Sequence, residues 1–113
     1  MLPASDRLAG VDGTSKSLRL LAIVDRLRHD LGHDYFIEVP HWDSDRAAIG
    51  LGRPDDLRFL VYLAVQPDGC EIYVECEVPA TDDNLGVPYK VALSGDYAEY
   101  GQVLDIVRSH LAR

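Results

Sequence analysis

The chain has 113 residues, of which 47% are hydrophobic and 27% charged, and its formal net charge at pH 7 is -8. This length suits one domain with a single core, and the composition excludes an intrinsically disordered chain. Most of the negative charge lies in residues 54–113, which carry eleven acidic and four basic side chains. Because such a charge distribution repels phosphates, nucleic-acid binding is the least favoured class of function.

The beginning of the chain, MLPASDRLAG, lacks the basic and apolar regions of a secretion signal. No later stretch approaches the roughly 20 apolar residues of a membrane span. We therefore expect a cytoplasmic protein without membrane contact. Pro3, Gly10 and Gly13 interrupt any periodicity at the start, which predicts a flexible tail at residues 1–13 and a single domain at residues 14–113.

A first helix is predicted at about residues 15–31. Its apolar residues recur at the spacing of one helical face: Leu20, Val24, Leu27 and Leu31. Thr14 or Ser15 can cap its start, and Gly32 can adopt the positive φ that ends it.

Five strands are predicted in the middle of the chain. They are YFIEV (35–39), RAAIGLG (46–52), LRFLVYLAV (57–65), CEIYVECEV (70–78) and YKVAL (89–93). The third is apolar at nearly every residue, which is typical of a central strand covered on both faces or of a strand at an interface. After the last strand, Ser94 or Asp96 is predicted to cap a second helix. Its core stripe is Tyr100, Val103, Leu104, Val107 and Leu111.

These elements predict an α+β fold with two layers and the order α-β-β-β-β-β-α. A mostly antiparallel five-stranded sheet would carry the N- and C-terminal helices packed on one face. In QPDGC, a two-residue turn or a four-residue loop would set Val65 beside Ile72, whereas a three-residue loop would shift the register by one residue. We choose the first register because it keeps one face uniformly apolar. A register shifted by one residue would place glutamates on the apolar face, at the cost of their desolvation.

In this register the strand CEIYVECEV has two different faces, since successive side chains of a strand point to opposite sides. Its apolar residues join the core. Its other face carries glutamates and a tyrosine beside apolar and aromatic residues of the preceding strand. Aromatic groups surrounded by charge are typical of protein-binding surfaces. The alternative is that the glutamates only keep an exposed sheet face soluble.

The leading hypothesis is a non-catalytic module that uses this acidic, tyrosine-bearing face to hold a basic protein partner. Its predicted contact residues are Leu60, Tyr62, Glu71, Tyr73, Glu75 and Glu77, extended by Trp42, Asp82 and Asp83. Immunity proteins and chaperone-like adaptors share this general build, although no motif assigns the chain to either. The main alternative is a structural domain that forms a homodimer through the same face.

Trp42, the only tryptophan, lies in the predicted turn PHWDSD. It either folds back over the sheet, which we favour, or stands out as an interface anchor. The following GLGRP sequence lacks the third glycine of a dinucleotide-binding motif and no helix follows it, so a phosphate loop is excluded.

Cys70 and Cys76 lie six residues apart on one predicted strand, about 20 Å at about 3.3 Å per residue. This separation is too long for a disulfide, and we expect both thiols to be reduced and to face the core.

The remaining hypothesis, a small metal-dependent enzyme, would use His29, His33 and His41. The first two are four residues apart and would share a helical face if the helix continued. Because Gly32 is expected to end the helix before His33, no metal or other cofactor is predicted. No serine or cysteine lies in a nucleophile motif, and no catalytic residue is assigned.

Overall fold

The computed structural model describes residues 16–66, 69–79 and 89–113. These residues form an α+β fold in which a five-stranded sheet is preceded by one helix and followed by another. The strands lie in the sheet in chain order, and every neighbouring pair is antiparallel. The predicted fold class and element order are therefore confirmed. The predicted tail, residues 1–13, lies outside the described residues.

The elements have the following bounds. They are α1 (Leu18–Leu31), β1 (Ile37–Val39), a short 3₁₀ helix (Pro40–Trp42), β2 (Ala48–Arg53), β3 (Asp56–Val65), β4 (Ile72–Pro79), β5 (Tyr89–Tyr97) and α2 (Tyr100–His110). Within the described ranges, neither helix is long and apolar enough to cross a membrane.

The start of α1 differs from the prediction, whereas its end does not. Ser17, rather than Thr14 or Ser15, is the N-cap, and its side chain accepts a hydrogen bond from the amide of Leu20. Gly32 follows the last helical residue with a φ of +101°, and its amide donates to the carbonyl of Arg28 at 2.8 Å. The prediction that this glycine ends the helix is confirmed.

The second helix begins later than predicted. β5 pairs with β4 as far as the Tyr97 and Ile72 positions, so Ser94 and Asp96 belong to the strand. The prediction that either residue caps the helix is wrong, because the hydrogen-bonded ladder continues through both. The N-cap is Glu99, whose amide donates to the side chain of Gln102 at 3.2 Å.

The core lies between the two helices and one face of the sheet. Its buried side chains come from α1 and α2, from the residue after α2, from the residue before β1, and from the central strands: Leu20, Val24, Leu27, Val103, Val107, Leu111, Phe36, Ile49, Leu51, Val61, Leu63, Val65, Ile72, Val74 and Cys76. Burial of each large aliphatic side chain contributes about 1.5–3 kcal/mol to folding. The helices therefore cover one face of the sheet and leave the opposite face for contacts outside the core.

The predicted register of β3 and β4 is confirmed. Val65 lies opposite Ile72 and Leu63 opposite Val74, so both strands turn these apolar residues toward the helices. The alternate residues, including Tyr62 opposite Glu75, point to the other side of the sheet.

One side chain connects α1 to the turn before β2. The Lys16 ammonium group donates hydrogen bonds to the backbone carbonyls of Trp42, Asp45 and Ala48, the last at 2.7 Å. The amide of Ser17 also donates to the carbonyl of Arg46 at 2.7 Å. The beginning of the helix is thereby attached to the segment that carries Trp42.

Candidate functional site

We call the sheet face away from the helices the outer face. Strand pairing arranges its side chains in three rows that cross the sheet. The first row is Ile37, Gly52, Leu60, Glu77 and Val91. The second is Val39, Gly50, Tyr62, Glu75 and Ser94. The third is Ala48, Ala64, Tyr73 and Asp96.

Trp42 folds back over the outer face, as favoured from the sequence. The 3₁₀ helix Pro40–Trp42 brings its ring directly over Gly50. A Cβ atom at Gly50 would lie 2.3 Å from the Trp42 ring, closer than two carbon atoms can approach. Gly52 has the same role one row away, since a Cβ atom there would lie 2.7 Å from the Leu57 side chain. The GLG sequence thus provides space for two large side chains on the sheet.

Three aromatic rings cross the outer face in contact with one another. The ring centroids of Trp42 and Tyr62 are 5.4 Å apart, and those of Tyr62 and Tyr73 are 6.2 Å apart. His41 lies edge-on to Trp42 at 4.8 Å. We call Trp42, Tyr62 and Tyr73 the aromatic row, and all three rings are only partly buried. The aromatic row therefore offers apolar area to a ligand and is already ordered by its own contacts.

Carboxylates border the aromatic row. The Tyr73 hydroxyl donates to Glu75 Oε1 at 2.6 Å, and this hydrogen bond is the main reason why the pKa of Tyr73 is raised. Burial, followed by the charges of Asp45 and Glu75, raises the pKa of Tyr62. The phenols remain neutral and can donate hydrogen bonds, while the neighbouring carboxylates concentrate negative charge.

The carboxylate of Glu77 lies in an environment that disfavours its charge. Burial and the negative charge of Glu75 raise the pKa of Glu77, and nearby His41 offsets only part of this effect. Among the residues that the structure describes, none donates a hydrogen bond to the Glu77 carboxylate or forms an ion pair with it. Its charge is therefore available to a cation from outside.

A cavity of about 210 Å³ opens on the outer face beside Trp42. Its lining combines rings, aliphatic side chains and charged groups from three strands and the 3₁₀ helix: Val39, His41, Trp42, Leu57, Arg58, Leu60 and Glu77. The Arg58 guanidinium pairs with Asp56 through two contacts of 2.9 Å, one from Nε to Oδ1 and one from an Nη to Oδ2. The positive charge of Arg58 is thus neutralised inside the chain.

Most of the predicted contact residues meet on this face. Tyr62, Tyr73, Glu75 and Glu77 lie together on it, as the register predicted. Trp42 joins them through the path of the 3₁₀ helix. Two predictions need correction. Leu60 points to the outer face, but it is only 4% exposed because it forms part of the cavity wall rather than a free surface.

Glu71 lies in the turn before β4 and outside the paired ladder, so the carboxylates of the ladder in β4 are two rather than three. Asp82 and Asp83 lie outside the described residues.

The cysteines also depart in part from the prediction. Both are free, but Cys70 is exposed because pairing of β4 begins only at Ile72 and leaves it in the turn. Cys76 is buried in the core, and burial raises the pKa of its thiol to about 11. The expectation that both thiols face inward is therefore wrong for Cys70.

The three candidate histidines lie on different parts of the fold. His29 is exposed on α1, His33 follows the residue that ends the helix, and His41 lies on the outer face next to Trp42. In residues 16–66, 69–79 and 89–113, no three His, Cys, Asp or Glu side chains are grouped as a metal would require.

Sequence reasoning missed the apolar ends of the outer face. Ile37 and Val91, at the two ends of the first row, are 43% and 44% exposed, and Leu57 is also exposed. For Leu57 the available signal was Gly52, since a glycine inside a strand often marks close approach by another group.

Comparison of the chain with protein-family models, curated proteins and solved structures finds no match in any of the three.

Proposed function

We propose that the protein is a non-catalytic binding module that holds a basic protein partner on its outer face. The observation that supports this proposal best is the aromatic row Trp42, Tyr62 and Tyr73 with Glu75 and Glu77 beside it. Partly exposed aromatic rings, a negative border and exposed aliphatic side chains in the same face form the mixture found at protein interfaces.

The two components have different roles in the proposed complex. Aromatic residues at the centre of an interface commonly lower the binding free energy by about 2 kcal/mol or more, as judged by truncation. Carboxylates contribute chiefly by accelerating association with a positively charged surface, an effect that salt weakens. The net charge of -8 acts in the same direction.

In this proposal the protein acts in the cytoplasm, as an immunity-like or chaperone-like adaptor. Both roles require a small acidic domain to cover a surface of another protein without chemical change. They rest on the general build of the fold, which the sheet and its two helices share with such proteins, and on the acidic outer face.

The test compares two variants with the same change in charge. Glu75→Lys/Glu77→Lys reverses charge on the outer face, and Asp25→Lys/Asp34→Lys reverses it on exposed residues away from that face. Each variant and the wild type is immobilised and exposed to extract of the source cell at low and high salt. We expect the wild type and the Asp25/Asp34 variant to retain the same basic protein at low salt, and the Glu75/Glu77 variant to lose it.

Association rates measured with that purified protein should then fall with salt for the wild type and show a weaker salt dependence for the Glu75/Glu77 variant. Circular dichroism controls for folding. Equal retention by the two variants would contradict the proposal, because net charge rather than the outer face would then determine binding.

Self-association is the second candidate, and the exposed Ile37 and Val91 at the ends of the first row favour it. Face-to-face pairing of two copies, however, brings Glu75 and Glu77 of one copy near the same carboxylates of the other, and these charges repel. We therefore expect sedimentation to show a monomer at low salt. A dimer that Tyr62→Glu disrupts would favour this second candidate instead.

A further inference from the structure

We propose that the cavity between Trp42 and Glu77 binds the guanidinium group of an arginine that a protein partner inserts into it. This inference rests on the proposed function and adds the chemistry of the residue that the partner supplies. Three features of the cavity favour arginine: its size, the carboxylate in its lining and its aromatic wall.

The size of the cavity fits one side chain. Pockets that enclose a drug-sized ligand have volumes of about 300–1,000 Å³. The present cavity has a volume of about 210 Å³ and is open to the surface. A single long side chain from a bound protein can enter such a space while its backbone stays on the outer face.

The charge of the cavity favours a cation. Glu77 is the carboxylate in the lining, and it has no hydrogen bond or ion pair among the described residues. Arg58, the basic residue of the lining, is held by Asp56 through two hydrogen bonds and does not neutralise Glu77. Since Glu75 lies two residues from Glu77 on the same face, an entering cation is attracted by both carboxylates.

The walls distinguish arginine from lysine. The Trp42 ring forms one wall, held in place over Gly50, and His41 lies edge-on beside it. A guanidinium group is planar, stacks on aromatic rings and forms paired hydrogen bonds with a carboxylate. An ammonium group is compact and more strongly hydrated, so it loses more hydration in a site with an aromatic wall.

The remaining walls fit the aliphatic part of an arginine side chain. Val39, Leu57 and Leu60 supply the aliphatic part of the lining, and Leu57 packs over Gly52. Methylene groups can pack on such residues while the charged end reaches the carboxylate.

Three capped tripeptides test this inference, acetyl-Gly-X-Gly-amide with arginine, citrulline or lysine as X. Citrulline has nearly the shape of arginine but no charge. The fluorescence of Trp42, the only tryptophan, reports on the cavity, and NMR of the Leu60 methyl groups reports on its wall. We expect a saturable change with the arginine peptide at millimolar concentration, about tenfold weaker binding of the citrulline peptide, and intermediate binding of the lysine peptide.

Two variants that each remove one negative charge locate the site. Glu77→Gln should weaken binding of the arginine peptide about tenfold. Glu71→Gln, in the turn outside the ladder, should leave it within about twofold. Equal binding of the arginine and citrulline peptides, equal effects of the two variants, tighter binding of the lysine peptide, or no response of Trp42 would each overturn the inference.

Failure of this inference can be distinguished from failure of the proposed function. If the arginine peptide binds as expected and no basic protein is retained by the wild type, the proposed function fails and the cavity assignment stands. If a basic protein is retained equally by the wild type and by Glu77→Gln, the binding role stands and the cavity assignment fails.

Discussion

Replacement of Gly50 by alanine should expel Trp42 from the outer face. The added Cβ atom would lie 2.3 Å and 2.4 Å from two atoms of the Trp42 ring. Neither a rigid indole ring nor the backbone of β2, which is paired on both sides, can absorb an overlap of this size by a small shift. The ring must therefore leave its position over the strand.

The cost follows from the area that the ring covers. A fully buried tryptophan removes about 150–250 Å² from water. At about 25 cal/mol per Å² this corresponds to about 4–6 kcal/mol. Trp42 is partly buried, so we expect a loss of about 2–3 kcal/mol, of which about 0.4–1 kcal/mol is recovered because alanine restricts the unfolded chain. The net destabilisation of about 1–2.5 kcal/mol should lower Tm by about 4–10 °C.

Gly101→Ala is the matched control, because nothing lies within 4 Å of a Cβ atom at that position in α2. It should leave stability unchanged or raise it by up to about 1 kcal/mol. Thermal unfolding followed by circular dichroism measures both variants, and a red shift of tryptophan emission should appear only in Gly50→Ala. In a Trp42→Ala background, Gly50→Ala should no longer be destabilising. An unchanged Tm and emission spectrum of Gly50→Ala would mean that Trp42 does not pack on Gly50.

Three further predictions concern other parts of the chain. A thiol reagent should modify one cysteine per folded chain, Cys70, and should reach Cys76 only after unfolding; rapid modification of both, seen by mass spectrometry, would be incompatible with the buried position of Cys76 and its pKa of about 11. Because the pKa of Glu77 is raised on folding, its ionised form disfavours the folded state. Glu77→Gln should therefore increase the free energy of unfolding at pH 7, and this gain should shrink as the pH falls toward 4.5, the ordinary pKa of the group. A gain that does not depend on pH, measured by urea unfolding, would exclude this cause. Gly32→Ala should lower the free energy of unfolding by about 1–3 kcal/mol because its φ of +101° with ψ of 152° is strained for any other residue, and an unchanged urea midpoint would contradict this.

Periodicity was sufficient to predict most of the fold. The helical spacing of Leu20, Val24 and Leu27 and the alternation in β4 each indicate one apolar face, and burying these faces together leaves few arrangements of the elements. The start of α2 was not predictable in this way. Ser94 and Asp96 are typical helix caps, yet pairing with β4 keeps them in a strand, and this pairing depends on residues distant in sequence.

The candidate site was predictable to the extent that it depends on register. Once Val65 is placed opposite Ile72, Tyr62 and Glu75 must share a face. The contact of Trp42 with Gly50 was not deducible from local sequence, because the path of the 3₁₀ helix determines where the ring lies. The burial of Leu60 was not deducible from local sequence either, because the other side chains that line the cavity are brought together only by folding.

The hydrogen bonds of Lys16 give the outer face a mechanical connection to the other side of the sheet. The three carbonyls that accept from its ammonium group belong to Trp42, Asp45 and Ala48, so the segment carrying Trp42 is attached to the residue that precedes the N-cap of α1. A partner that displaced this segment would also have to break these bonds. In the proposed complex, the position of Trp42 is thus restrained from the helical side of the sheet.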